Sequence, residues 1–311
     1  MQFPESAGSR DSERFRISTQ MPISDIDMFR PDPVEEWSEA APTGLGLRSE
    51  LSVRNLNYAT THKYQHDRTD GEIPSILFGC DEQGRHGNFH PDSYRSICAV
   101  PSWAKRLEKV HTAWRRARVR ANWSWKELDC SNSSDALLMN IFCYPQMTAL
   151  PAVRALLGNE SLDLPVFGFK PHSPLLAGRS DNTEIDMKLG RLLVEAKLTE
   201  SDYQVADPRL VHRYPDFEAI FDSSELPMLN GRYLGYQLIR GVLAASVSQC
   251  CFCVFCDARR PDLIELWYRV MRAVRPVDLR CQLKILTWQE LARALPSDLQ
   301  HFLATKYGIF G

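Results

Sequence analysis

Residues 183–200 read TEIDMKLGRLLVEAKLTE, and this stretch decides the fold. From residue 184 to 189 the side chains alternate, with Ile185, Met187 and Leu189 against Glu184, Asp186 and Lys188. From 191 to 199 they alternate again, with Leu192, Val194, Ala196 and Leu198 on one side. A period of two is the signature of a strand with one face buried. Gly190 sits between the two runs, where a tight turn needs backbone freedom, so the stretch predicts a β-hairpin.

In such a hairpin Glu195 and Lys197 lie two apart on one face, with Ala196 pointing the other way. Asp186, nine residues before Glu195, falls across from it on the partner strand. Two carboxylates and an ammonium then converge. Like charges crowded together are costly unless a cation is present. A hard divalent ion resolves the conflict, and Mg²⁺ is typically held by one or two carboxylates plus substrate phosphate. The lysine is placed to position or deprotonate a water whose pKa the ion lowers.

Working outward, Pro165–Phe169 is a short apolar strand before the hairpin. After it come a polar connection over 200–230, a helix from about Arg232 to Ser246, and the strand CFCVFCD from Cys251. A helix over 261–274, the strand CQLKILTW and helices at about 289–294 and 297–307 follow, the last closed by Gly308. Upstream, helices are predicted from Ser133 or Ser134 to Pro145 and over 150–157, stopping at Gly158. Strands and helices in this order predict an α/β fold with a mixed central sheet flanked by helices.

An Asp on one hairpin strand and E-x-K on the next resembles the PD-(D/E)XK nucleases, a superfamily that includes restriction endonucleases and RecB-type nucleases. The resemblance covers roughly residues 130–290 and looks most like the bacterial restriction-endonuclease-like members, with a core of order α-β-β-β-α-β. It implies that Asp186, Glu195 and the main-chain carbonyl of Ala196 ligate metal, and that Lys197 acts on the nucleophilic water. RecB-type members carry a glutamine on the next helix, and Gln237 fits that place. They then have a tyrosine four residues on, where this chain has Gly241, and the usual Pro before the Asp is Ile185. Glu184 shares a face with Asp186 and is assigned a supporting role behind the metal ligands. Asp135, the one acid on the helix from Ser133, is either a further site acid, as in some members, or a complement to the helix dipole.

From Pro101 the sequence turns helical, with Ser102 as cap and Trp103, Leu107, Val110, Trp114 and Ala117 on one face. Lys105, Arg106, Lys109, Arg115, Arg116, Arg118 and Arg120 accompany a single acid, Glu108. In a chain of net charge −2 this is a local excess of the kind that neutralises phosphates. Lys105, Lys109, Arg115, Arg116, Arg118 and Arg120, with Lys188 and Arg191 on the hairpin, are the candidate nucleic-acid contacts, while the tryptophans serve mainly as core.

Other clusters carry less. Cys250, Cys251, Cys253 and Cys256 lie along one straight strand whose ends are ~20 Å apart, so they cannot surround one ion and read as core. His86, His90, Cys80 and Cys98 lie in the turn-rich span 71–100, read as an irregular loop. Loop histidines fit them, with a structural zinc as the alternative.

The composition, with 44% hydrophobic and 24% charged residues over 311, supports a buried core. No run approaches the ~20 apolar residues of a membrane span. The N-terminal sequence lacks the apolar region of a secretory signal, and nine cysteines without framework spacing fit a reducing cytoplasm. Residues 1–50 read as a poorly ordered or strap-like segment, 51–130 as an N-terminal extension and 131–311 as the nuclease core. The expectation is a cytoplasmic, Mg²⁺-dependent endonuclease in bacterial defence, with Mn²⁺ able to substitute and DNA as partner. RNA cleavage, and a non-catalytic binding or assembly role on the same fold, stay open as alternatives, as does a homodimer.

Overall fold

A computed structural model describes residues 43–110 and 126–311. Five strands build the central sheet: β1 (Val166–Phe169), β2 (Ile185–Leu189), β3 (Leu192–Ala196), β4 (Cys251–Cys256) and β5 (Leu283–Thr287). They lie side by side in chain order, with β1, β2 and β3 antiparallel and β3, β4 and β5 parallel. The predicted mixed sheet is therefore present. Gly190 makes the hairpin turn at φ +55°, a conformation that costs most residues a Cβ clash.

Helices cover both faces. On one face the helix α3 (Ser134–Phe142) packs with Val194, Ala196 and Phe255, and the Phe142 and Phe255 rings stack at 5.9 Å. The longer N-terminal helix α1 (Thr43–His62) and the last helix α6 (Ser297–Tyr307) join the same apolar cluster. On the other face α4 (Tyr236–Ser248) and α5 (Pro261–Arg272) cover Leu193, Phe252 and Val254. Because β4 is buried on both faces, its run of apolar side chains and cysteines is what such a strand requires.

Several sequence expectations need correction. Residues 43–50, assigned to the tail, form the first turns of α1. The span 71–100 contains a strand, Ile76–Phe78, and the helix α2 (Pro91–Ala99). That helix is capped by the His90 ring, which accepts the Asp92 N–H at 3.3 Å, and histidine is a cap that composition does not signal.

The helix from Pro101 is only Pro101–Ala104, capped at Val100 instead of Ser102, and it tightens to a 3-10 turn over Lys105–Glu108. Lys109 is extended and Val110 bridges to Lys126. Arg106 in that turn pairs with Asp135, and Lys109 just after it pairs with Glu127. The rest of the predicted basic helix, with Arg115, Arg116, Arg118 and Arg120, lies outside the described residues.

The helix expected from Arg232 begins at Tyr236. Arg232–Leu234 pairs in a small sheet with 205–206 and 228–229, and Gly235 at φ +73° separates strand from helix. The polar connection over 200–230 also holds two one-turn helices, Pro208–Val211 and Phe217–Ile220.

Candidate active site

The hairpin places the first three candidates together. Met187 pairs with Val194 and Lys188 with Leu193, so the ladder continued by one residue sets Asp186 opposite Glu195. The Asp186 carboxylate accepts the Ala196 N–H at 2.7 Å. Lys197 donates to Glu195 Oε1 at 2.6 Å, and both side chains are almost fully buried. Two main-chain bonds fix the lysine: its N–H donates to the Phe255 carbonyl at 2.8 Å, and Trp288 Nε1 donates to its carbonyl at 2.8 Å. The Tyr203 ring lies 5.6 Å from its ammonium.

Charge shapes the site. Burial raises the Asp186 carboxyl well above the usual range, and the negative charges of Glu195 and Asp135 add to it, against smaller help from Lys197. For Lys197, burial alone would depress the ammonium. Glu195, Asp186 and Glu200 outweigh burial and hold it above the ordinary lysine range.

A second group of carboxylates adjoins the first. Asp135, in the first turn of α3, accepts Arg106 Nη2 at 2.9 Å and lies 3.6 Å from the Lys109 ammonium. Glu184 accepts Arg106 Nη1 at 3.0 Å, and Glu127 meets Lys109 at 2.9 Å. Gly168 on β1 makes room, since a Cβ there would run into the Arg106 guanidinium. Burial opposes the charge on Glu184, but Arg106 and Lys109 overcome it and hold that carboxyl below its usual range. Glu127 is pushed up by burial and by Asp135 despite Lys109.

The whole cluster thus contains Glu127, Asp135, Glu184, Asp186 and Glu195 against Arg106, Lys109 and Lys197. Fully ionised it carries a net charge of −2. This donor set suits one divalent cation with oxygen ligands. Asp186 and Glu195 are the pair without a cation other than Lys197, and the Ala196 carbonyl ends the strand beside them.

The remaining candidates are more dispersed. Gln237 is half-buried in the first turn of α4, and its N–H donates to the Tyr203 carbonyl at 3.0 Å. Lys188 shares the Asp186 face and stacks its ammonium 4.6 Å from the Phe169 ring. Arg191 is exposed at the hairpin turn, ~13 Å of strand from Glu195, and donates to the Gln249 carbonyl at 2.6 Å. Lys105 is exposed. Lys109 faces three carboxylates, a placement its position in a basic run does not reveal.

The cysteines in this stretch are free thiols: Cys251 and Cys253 of β4 pack on one apolar cluster, and Cys250, just before the strand, on the other. Burial pushes Cys256 up to about 12. His86 bonds to Asp129 at 3.2 Å, and Cys80 lies 3.0 Å from Tyr94 Oη. Among the described residues, three metal-ligating side chains come within 4.8 Å of one another at His90, Asp92 and Asp298, away from the hairpin. No described helix is long and apolar enough to cross a membrane.

The sequence profile of a family described as "Restriction Endonuclease associating with ARP" matches residues 52–308. The chain belongs to that family. The match runs from α1 through α6, so this restriction-endonuclease family takes in the N-terminal helices as well as the sheet. No curated protein and no solved structure matches the sequence.

Proposed function

We propose that the chain is a Mg²⁺-dependent nuclease of the PD-(D/E)XK type that hydrolyses phosphodiester bonds of DNA. The observation that carries this reading is the hairpin itself: Asp186 set opposite Glu195, with the Lys197 ammonium 2.6 Å from Glu195, in a site whose net charge asks for a divalent cation. Membership in a restriction-endonuclease family supports the reaction class and the DNA substrate.

Asp186, Glu195 and the Ala196 carbonyl would hold the ion. A hard divalent ion at that place supplies a more acidic water and screens the charge that develops on phosphorus. Lys197, held as an ammonium by its carboxylate neighbours, orients the attacking water and donates a hydrogen bond to the phosphoryl oxygens. Asp135 and Glu184 work from behind, tied by Arg106, so that the α3 terminus and the hairpin keep a fixed separation. Gln237, on the helix that follows the hairpin, orders the substrate side of the site through its half-exposed amide.

Phosphate contacts fall to Lys105, Lys188 and Arg191, and to Arg115, Arg116, Arg118 and Arg120. Lys109 pairs with Glu127 of the carboxylate cluster, and Lys126 pairs with Glu108.

Incubating the purified chain with matched DNA and RNA substrates, in Mg²⁺, Mn²⁺ or EDTA, tests the proposal. Metal-dependent scission of DNA supports it. Scission of RNA alone would reassign the substrate, and cleavage that persists in EDTA would overturn the metal site.

A further inference from the structure

A cavity of about 640 Å³ opens beside the carboxylate cluster. Glu127 belongs to both: it lines the cavity and binds Lys109, while Glu200 lines the cavity and accepts Ser134 Oγ at 2.6 Å. The cavity thus meets the carboxylate cluster at Glu127 and is lined by Thr199 and Glu200 of the chain that leaves β3. It is far too large for a bare phosphate and lies in the range of small-molecule sites.

The wall is built and held. Arg260, buried to 1% exposure, donates to the Glu200 carbonyl at 2.6 Å and the Ser201 carbonyl at 3.2 Å, and it pairs with Asp262 at 2.7 Å. This fixes the chain that leaves β3. Gly44 on α1 lets that helix approach, since a Cβ there would stand 3.0 Å from the Arg260 guanidinium. Asn132 ties the opposite wall by donating to Thr199 Oγ1 at 3.1 Å.

The charged groups of the wall are engaged, with one exception. Glu127 has Lys109, and Glu200 has Ser134 Oγ and the Leu198 N–H. Arg260 has Asp262, and Asp70 also has a partner. Arg48 of α1 has no carboxylate or hydrogen-bond acceptor among the described residues, and its Nε is sealed from solvent without a partner. A half-buried guanidinium with an unused planar set of donors is matched to a phosphate, which it can hold through two parallel bonds. Around it, the amide of Asn132 and the hydroxyls of Ser133, Thr199 and Ser201 offer the few placed polar groups that read a sugar or base edge.

We infer that this cavity binds a nucleoside 5′-phosphate group, with Arg48 on the phosphate and the base and sugar between α1 and the start of α3. The inference deepens the nuclease reading and rests on it for the identity of the ligand. The nucleotide is either one residue of the DNA strand, seated beside the cleavage position, or a free mononucleotide.

The test is calorimetric titration of the full chain with dAMP, dTMP and inorganic phosphate, all in EDTA so that the metal centre contributes nothing. The proteins are wild type, Arg48→Met, Arg48→Lys and Lys197→Ala. A nucleotide that binds wild type more tightly than inorganic phosphate does, and at least tenfold more weakly to Arg48→Met, is the result expected. Arg48→Lys falls between, because it keeps the charge and loses the planar pair of donors. Lys197→Ala binds as wild type does, so a failed nuclease reading and a failed subsite give separate results. Competition with a short single-stranded DNA then assigns the source: displacement of the mononucleotide places a strand residue in the cavity, and no displacement places a free nucleotide there. Absence of nucleotide binding to wild type, equal affinity for inorganic phosphate, or Arg48→Met binding unchanged would each overturn the inference.

Discussion

Lys306 is fully buried in α6 among aromatic rings, its ammonium nitrogen 3.7 Å from the Phe78 centroid and 5.1 Å from that of Tyr58. Its one hydrogen-bond partner is Asn55 Oδ1 at 2.5 Å, and no carboxylate faces it among the described residues. Ring faces favour a cation, but burial without a counter-ion dominates and holds the amine well below the usual lysine range. Between that depressed value and the ordinary ~10.4 of an unfolded lysine, the unfolded chain binds one proton more than the folded one. Stability therefore rises with pH across this window, by at most ~1.4 kcal/mol per unit.

The substitution Lys306→Met keeps the length of the side chain and removes the titration. It also strands Asn55 Oδ1, at a cost of about 1–3 kcal/mol that does not vary with pH. The slope is the cleaner observable. Urea unfolding at pH 8, 9 and 10 should show wild type gaining on the Met variant as pH rises, by at most about 2.5 kcal/mol over those two units. Other groups that titrate there are common to both proteins and cancel in the difference. Parallel stability curves would show that Lys306 folds as a charged group and that the reasoning from its burial is wrong.

Three further outcomes follow from the geometry. Gly241 lies where a Cβ would enter the Phe252 ring, which is itself held edge-on by Trp267 at 5.5 Å. Gly241→Ala should therefore cost stability by about 1–2 kcal/mol in chemical denaturation despite the better helix propensity of alanine; a stabilised variant would contradict the packing. Arg106→Ala removes a cation from between Asp135 and Glu184 and should lower stability by about 3 kcal/mol. Because the loss leaves excess negative charge, Mg²⁺ should raise the melting temperature of this variant more than that of wild type in thermal scans; equal shifts would separate Arg106 from the metal centre. Burial and Glu195 raise the Asp186 carboxyl, so a metal ion must displace a proton as pH falls toward that raised value. Mn²⁺ affinity measured by calorimetry should fall with decreasing pH, by up to about tenfold per unit for each proton displaced, and a flat profile would count against Asp186 as ligand.

The fold was legible where side-chain period and turn chemistry agreed. Alternation on both sides of Gly190, broken only by Leu193, gave the hairpin, and the apolar strand from Cys251 with a helix on either side gave the parallel half of the sheet. The same alternation put Asp186, Glu195 and Lys197 on one face, so the geometry of the candidate site was readable from spacing alone. What stayed hidden depends on contacts distant in sequence. Arg106 and Lys109 look like solvated members of a basic run, yet they cross to Asp135 and Glu184, and the helix ends where they turn. Gly168 carries no signal of its own and matters because it leaves space for Arg106. The glycine at 241, which in sequence is a departure from the RecB-type pattern, is explained by Phe252 beneath it. The cap of α2 was missed because a histidine ring fills it, and Arg48 was missed because its significance is the absence of a partner.

The proposed nuclease site requires that Asp186 and Glu195 bind a divalent ion and that Lys197 serve the hydrolysis at that ion. Plasmid cleavage under single-turnover conditions in Mg²⁺, comparing wild type with Asp186→Asn and Lys197→Ala, addresses it most directly. Wild type should cut DNA in a reaction that EDTA abolishes and that both substitutions reduce by at least a hundredfold, with folding preserved by circular dichroism. Scission of equal rate in Lys197→Ala, or in EDTA, would contradict it.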